Sequence, residues 1–130
     1  MKVVYPVIIS KGEKYLIASI PDCEIDTQGE TLAEAIEMAR DAISIWCVTE
    51  QDAGRKLPQP SEVHNVSVNS DDIITLVDAD ISAYRRMLDL KVVRKNVTVP
   101  SWLNYRAEKS NINFSQTLQR ALKEELQITE

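Results

Sequence analysis

The sequence predicts an α+β chain built from two modules, and three observations lead to that prediction. Short β-rich runs and one long helical pattern occupy residues 1–80 in the order β-β-β-α-β. A separate short strand and two short helical patterns occupy residues 92–130, after a connector helix expected at 81–91. The formal charge changes sign, from −9 over residues 1–84 (six Lys or Arg, fifteen Asp or Glu) to +4 over residues 85–130 (nine against five). Such a chain is expected to bind two partners of opposite charge.

The composition excludes several classes of protein. With 44% hydrophobic and 27% charged residues, the chain is predicted to fold rather than to be disordered. It contains neither an apolar run near the roughly 20 residues of a membrane span nor a secretory signal, so we expect a cytoplasmic protein. Cys23 and Cys47 are isolated and the single histidine is His64, so we expect reduced structural thiols, no metal and no cofactor.

Four strands are predicted in the first module. Residues 3–10 and 15–20 are β-rich and flank a polar turn. Pro6 lies inside the first run and cannot donate a ladder hydrogen bond, so either the strand starts after it or Pro6 faces an open edge. Residues 23–26 could form a short third strand, and residues 72–77 predict the fourth.

The long helix of this module has clear signals at both ends. Thr31 can cap its start while Glu34 reaches back in a capping box, and Ala53-Gly54 ends it. One apolar stripe follows the helical period and is expected to pack on the sheet: Leu32, Ala35, Ile36, Ala39, Ile43, Trp46 and Cys47. A proline-containing loop then covers residues 55–64.

The second module begins with an alternating segment at residues 92–99. The alternation places Arg94, Asn96 and Thr98 on one face and Val93, Lys95, Val97 and Val99 on the other. Pro100 suits the start of a first helix at residues 101–109, in which Trp102 is expected to pack. Asn111 tolerates the left-handed conformation that ends a helix. Asn113 then caps a second helix, with Gln116 at the third position and a stripe expected to be buried: Phe114, Leu118, Ala121, Leu122 and Leu126.

A single strand with two helices cannot satisfy its own backbone groups, because a lone strand has two open edges. The economical solution is a symmetric dimer in which two copies of the segment pair antiparallel. A two-stranded ribbon fits the DNA major groove, where Arg94, Asn96 and Thr98 would contact bases. The start of the second helix, at Asn113 and Ser115, would bind a phosphate. The alternative is that the polar strand face is only solvated.

This arrangement resembles the ribbon-helix-helix DNA-binding repressors, through residues 94–100 and 113–118. The resemblance implies that Arg94, Asn96 and Thr98 occupy the base-reading positions. One departure is Lys95, which stands at an inward position that is usually apolar. The ribbon would therefore begin at Asn96, or Lys95 would extend its ammonium group out to solvent.

The first module offers little for catalysis. Asp22, Glu24 and Asp26 alternate on a predicted strand, which allows a metal-dependent nuclease as one alternative. Alternate carboxylates on an exposed strand are more often a solvated face. His64 has no partners spaced as in a catalytic triad, and no glycine-rich phosphate loop is present. We therefore do not expect an enzyme.

The first module also resembles a known family, the HicB antitoxins. The residues that carry the likeness are Ile20-Pro21-Asp22 and Thr27–Ala35, together with Tyr5-Pro6 and Leu57–Ser61. The resemblance implies a truncated ribonuclease-H-like domain that has lost its catalytic carboxylates and serves as a binding module. It also implies a partner, the small basic HicA toxin, which cleaves RNA.

Charge supports that implication independently, because a region at −9 complements a cationic RNA-binding protein. Glu34, Glu37 and Asp41 on the long helix are the candidate toxin contacts, unless they form only a solvated surface. The hypothesis is a type II antitoxin that forms a homodimer or higher even oligomer, binds a palindromic operator in double-stranded DNA and represses its own operon. The alternative is a ribbon-helix-helix repressor whose N-terminal domain senses a ligand or oligomerises; a neighbouring gene for a small basic protein would argue against it.

Overall fold

A computed structural model describes residues 1–66 and 68–129. The chain divides into two compact units, Met1–Leu90 and Lys91–Glu130. The first unit combines an antiparallel sheet with two α-helices, and the second contains two further α-helices. The predicted α+β class is confirmed.

The sheet of the first unit has four antiparallel strands in the order β3-β2-β1-β4. The strands are β1 (Lys2–Lys11), β2 (Leu16–Ile20), β3 (Ile25–Gly29) and β4 (Ile73–Asp80). Pro6 lies within β1, so that strand does not start after the proline. β2 pairs with β1 only from Ile8 onwards, which leaves the edge beside Pro6 without a partner strand from β2.

Two strand boundaries differ from the predicted ones. The third strand begins at Ile25 rather than Cys23, because Pro21–Cys23 form a 3-10 turn and Glu24 is left-handed with φ 55°. A left-handed residue cannot continue a strand. β4 continues to Asp80, beyond the predicted end at residue 77, because it pairs with β1 as far as Lys2.

The long helix, α1 (Leu32–Asp52), covers one face of the sheet. Thr31 Oγ1 accepts a hydrogen bond from Glu34 N at 3.1 Å, which confirms the predicted cap. Four residues of the predicted stripe are fully buried: Ala35, Ala39, Ile43 and Cys47. Leu32 is exposed instead, because it stands at the open end of the helix, and the prediction that it packs was wrong.

A short helix, α2 (Ile81–Met87), follows β4 directly and is part of the first unit. Asp80 Oδ1 accepts a hydrogen bond from Ala83 N at 3.0 Å, which caps the helix. Ile81 is buried, and its backbone N–H donates to Met1 O at 2.9 Å. The helix is shorter than the connector predicted for residues 81–91.

The second unit contains α3 (Ser101–Lys109) and α4 (Phe114–Glu125), close to the predicted bounds. Asn111 is left-handed with φ 55°, and Asn113 Oδ1 accepts from Gln116 N at 3.1 Å, so both predicted signals are confirmed. The predicted strand at residues 92–99 forms no ladder within this chain, since a strand needs a neighbour.

Candidate nucleic-acid and protein-binding sites

The alternating segment of the second unit turns its odd-numbered residues towards α3 and α4. Lys95, Val97 and Val99 line a groove of about 370 Å³ together with apolar residues of both helices. Those helix residues are Leu103, Ala107, Ile112, Phe114 and Leu118. Three of the four residues predicted to face inward therefore line the groove, including the unusual Lys95, whereas Val93 is exposed and does not.

The even-numbered residues of the segment, Arg94, Asn96 and Thr98, are exposed and do not line that groove. All three predicted base-reading side chains are therefore accessible in the single chain, and their role in reading bases stays a prediction. Asn113 and Ser115 stand at the start of α4, where the Asn113 side chain is engaged in the cap. Ser115 is among the residues that line the groove.

The helix stripe expected to be buried is open in the single chain. Phe114, Leu118, Leu122 and Leu126 are all exposed, and none of residues 91–129 is buried. Burial of this stripe was expected only between two chains, because a unit of this size has nothing to lay over its own groove, and burial in a dimer stays a prediction. These apolar side chains lack a covering element within their own unit.

The candidate toxin contacts share one face of α1. Glu34, Glu37 and Asp41 are exposed at positions i, i+3 and i+7, which lie along one side of a helix. Sequence reasoning missed Met38 and Ile45, which are 40% and 54% exposed on the same side and follow the same spacing. We call these five residues the α1 acidic face.

Arg40 is close in sequence to the α1 acidic face, but its side chain binds Asp78 of β4. Arg40 Nε donates to the backbone carbonyl of Asp78 at 3.0 Å, and Arg40 Nη2 lies 3.4 Å from Asp78 Oδ1. The guanidinium is therefore held against β4 rather than against the carboxylates of the α1 acidic face. This pairing leaves that face with its negative charge available to a partner.

The three carboxylates of the nuclease alternative do not share a strand face. Asp22 lies in the 3-10 turn and Glu24 is left-handed, whereas only Asp26 lies in a strand. Asp26 Oδ1 accepts from Ser19 Oγ at 2.6 Å. Among the described residues, no group of three or more His, Cys, Asp or Glu could hold a metal ion. The expectation of alternate carboxylates on one strand was wrong.

Asp22 instead joins two motifs that are far apart in the sequence. Its carboxylate accepts hydrogen bonds from Ser61 Oγ at 2.6 Å and from Ser61 N at 3.0 Å. Three residues before Ser61, the carbonyl of Pro58 accepts from Tyr5 OH at 2.8 Å. The proline-containing loop is thereby attached at two points. These hydrogen bonds give the residues a structural role in holding the loop.

Both thiols lie in the core between the sheet and α1, the helix that carries Cys47, and are unsuited to reactivity. Burial raises the pKa of the Cys23 thiol to about 12 and that of Cys47 to about 11. Burial also raises the pKa of the Tyr5 hydroxyl to about 12. His64 is exposed and lies 3.2 Å from Glu62 Oε2, which confirms a surface position. Within residues 1–66 and 68–129, no helix is long and apolar enough to cross a membrane.

Comparison with known proteins indicates one family. A sequence profile of the HicB-like antitoxins of bacterial toxin–antitoxin systems matches residues 5–127. A comparison with curated proteins gave no match. A chain of a toxin–antitoxin complex from Streptococcus pneumoniae is similar in structure, with a TM-score of 0.60 and 25% identity over 96% of this chain and 99% of its own. The antitoxin HicB of Burkholderia pseudomallei shares the fold, with a TM-score of 0.54 and 24% identity over 98% and 99% of the two chains.

Proposed function

Because the chain belongs to the HicB-like antitoxin family of bacterial toxin–antitoxin systems, we propose that it neutralises a HicA-type toxin and represses its own operon. Neutralisation is assigned to the first unit and operator binding to the second. The chain acts by binding rather than by catalysis. A toxin that cleaves messenger RNA works in the cytoplasm, so the antitoxin is placed there too.

The observation that carries the DNA-binding assignment is the uncovered apolar groove of the second unit. Val97, Val99 and Leu103 line it, and α4 adds exposed Leu122 and Leu126. Exposed apolar area of this kind is costly in water. Pairing residues 92–99 with the same segment of a second chain would satisfy the strand edges and bring the partner's helices over the groove. A symmetric ribbon-helix-helix dimer follows as the proposed assembly.

The proposed ribbon reads DNA with the outward side chains of both chains. Arg94 can donate to guanine, Asn96 can form two hydrogen bonds with the major-groove edge of adenine, and Thr98 can bond a base or touch a thymine methyl group. At the start of α4, the residues Asn113 and Ser115 would be close to a phosphate. Two-fold symmetry of the ribbon implies a palindromic operator.

The proposed toxin contact is the α1 acidic face. Its three carboxylates present negative charge that Arg40 does not neutralise, because that guanidinium is bound to Asp78. A cationic RNA-binding toxin would be steered to such a face. Exposed Met38 and Ile45 supply apolar area between the charges, which a purely solvated helix face does not need.

The experiment that tests the division of labour is the substitution Asn96→Ala. It should weaken binding to the operator by about 1–3 kcal/mol per lost base contact, measured by titration of a labelled DNA fragment at fixed salt. Neutralisation of the co-expressed neighbouring gene product should not change. Asn69→Ala, at an exposed asparagine of the first unit, is the matched control and should leave both activities intact. Lost neutralisation with retained operator affinity would reverse the assignment.

A further inference from the structure

The first helix of the second unit carries an exposed surface that lies outside the apolar groove. Trp102 and Tyr105 are 62% and 61% exposed. Arg106 lies 5.7 Å from the centre of the Trp102 ring, and Lys109 lies 5.5 Å from the centre of the Tyr105 ring. The spacing i, i+3, i+4 and i+7 places all four on one side of α3. We call them the α3 outer face.

The opposite side of α3 is the one that lines the apolar groove. Leu103, Asn104 and Ala107 contribute to the groove, and Glu108 accepts a hydrogen bond from Asn104 on that side. The α3 outer face is therefore free of carboxylates and carries two positive charges, each stacked on an aromatic ring. The prediction that Trp102 packs was wrong for the single chain, in which the side chain is largely exposed.

The chemistry of this face fits a protein partner with negative charge. Trp, Tyr and Arg are the residue types that most often dominate binding energy at protein interfaces. Duplex DNA offers phosphates but no open base faces on which rings could stack, so Trp102 and Tyr105 would gain little there. A cationic toxin would be repelled by Arg106 and Lys109.

The chain itself supplies a complementary surface on its first unit. The α1 acidic face combines three carboxylates with exposed Met38 and Ile45. Met38 and Ile45 are seven residues apart, as are Trp102 and Lys109, so each pair spans roughly 10 Å of helix. Methionine sulfur also packs favourably on aromatic rings.

We propose that the α3 outer face binds the α1 acidic face of a second copy of this chain, joining ribbon dimers into larger even assemblies. The contact is heterologous, because two different surfaces meet. Each ribbon dimer carries two copies of each surface and can therefore contact more than one other dimer. In one further step, which rests on the proposed toxin site, toxin bound to the α1 acidic face would displace the second copy. Toxin would then change the number of dimers held together on DNA.

The first test is oligomeric state by sedimentation velocity on the full chain, from micromolar to several hundred micromolar. Wild type should pass from dimers to larger even species. The double variant Arg106→Glu with Lys109→Glu should weaken that step about tenfold or more. Arg120→Glu with Lys123→Glu, the same charge change on α4, is the matched control and should not alter it. A wild type that stays dimeric throughout, or a control variant that weakens the step equally, would overturn the proposal.

A charge exchange separates direct contact from damage to the fold. A variant that carries Glu34→Lys and Asp41→Lys should also remain dimeric when it is alone. Mixing it with the variant that carries Arg106→Glu and Lys109→Glu should restore the larger species. Failure of the mixture to associate would refute the pairing. The toxin is absent from this experiment, so its result does not depend on the proposed toxin site.

The second test is a zero-length carbodiimide crosslink on a mixture of isotopically heavy and light protein. Lys109 of one copy should be joined to Glu34, Glu37 or Asp41 of another, giving heavy–light pairs by mass spectrometry. Crosslinks from Lys109 only to α3 or α4 residues would mean that the ribbon-dimer partner covers this face, and would sink the proposal. Crosslinks to α1 only within one chain would do the same.

Discussion

At the scale of single residues, Asp22 illustrates how a motif that suggests catalysis can be structural. Its carboxylate accepts two hydrogen bonds from Ser61 and so holds the loop that Tyr5 also contacts through Pro58. The partly exposed position makes the bonds worth less than in a dry core, but they are charge-assisted. The residue is therefore expected to matter for stability and not for chemistry.

Asp22→Ala should lower the free energy of unfolding by about 1–2 kcal/mol, because it removes an acceptor shared by two donors. Chemical denaturation measures this, and Glu24→Gln on the same turn is the control that should change stability much less. The structural account would be contradicted if the wild type cleaved RNA in the presence of Mg²⁺ and the substitution Asp22→Asn abolished that cleavage. That outcome would restore the nuclease alternative.

Gly29 is required for a different reason, the close approach of β3 to α1. A Cβ atom at this position would lie 2.4 Å from the backbone N of Ala35 and 2.7 Å from its Cα. Backbone atoms cannot rotate away as a flexible side chain can. Gly29→Ala should therefore cost about 2–4 kcal/mol, seen as a lower Tm and denaturation midpoint.

Gly54 provides the comparison for that substitution. It has φ +77°, and a Cβ atom added there would meet no other atom within 4 Å. Gly54→Ala should therefore cost only about 1 kcal/mol, through backbone strain alone. Equal losses for the two variants would show that crowding between β3 and α1 is not the cause.

At the scale of elements, the layer between α1 and the sheet encloses three titratable groups that burial keeps neutral. The pKa of the Cys23 thiol is raised to about 12, that of Cys47 to about 11 and that of Tyr5 to about 12. In the unfolded chain the thiols ionise near pH 9. A raised pKa in the fold means that the stabilisation is complete below the unfolded value and is lost as pH rises through the folded one.

The free energy of unfolding should therefore fall as pH rises above about 9, over the interval towards about pH 11–12. Denaturant titrations at about pH 7, 8, 9 and 10 would show a plateau followed by a decline. At about pH 8 a thiol reagent should modify Cys23 and Cys47 only in unfolded protein. Fast modification of the native chain, or a flat profile beyond about pH 9, would contradict the burial of these groups.

The elements show which parts of the fold local sequence can predict. α3 was predicted at its observed bounds because Pro100 and Asn111 mark its ends by their own backbone preferences. The third strand was misplaced because its start depends on Glu24, a non-glycine residue in the left-handed conformation. Glutamate has no local signal for that conformation, in which Glu24 ends the 3-10 turn and its N–H donates to Pro21 O.

The candidate sites also contain some features that the local sequence predicts and others that it does not. The period of two in residues 92–99 correctly predicted that Lys95, Val97 and Val99 face the groove, since alternation is a property of the backbone alone, but it failed at Val93. The bond between Arg40 and Asp78 joins residues 38 positions apart, and that between Asp22 and Ser61 joins residues 39 apart. No spacing rule reveals such pairs. The exposure of Trp102 also depended on what covers α3, which periodicity does not specify.

At the scale of the whole molecule, burial is confined to one unit. The buried hydrophobic core extends in sequence from Tyr5 to Ile81, whereas no residue of 91–129 is buried in the single chain. The first unit thus has a closed core and a capped helix that do not require a second chain. The second unit exposes the groove and α4 stripe that would form a core only between chains, so its stability should depend on protein concentration.

Deleting residues 92–130 should accordingly leave a folded, acidic fragment that still neutralises the toxin but neither dimerises through the ribbon nor binds operator DNA. Its thermal unfolding should be cooperative and independent of concentration, because every residue of the buried core is retained. Scanning calorimetry measures the unfolding, sedimentation measures dimerisation, and co-expression with the neighbouring gene product measures neutralisation.

The full chain at matched concentrations is the control for the deletion, since it should sediment at least as a dimer. A fragment that remained dimeric would place self-association in the first unit, and an unfolded fragment would show that the core between α1 and the sheet needs the C-terminal residues.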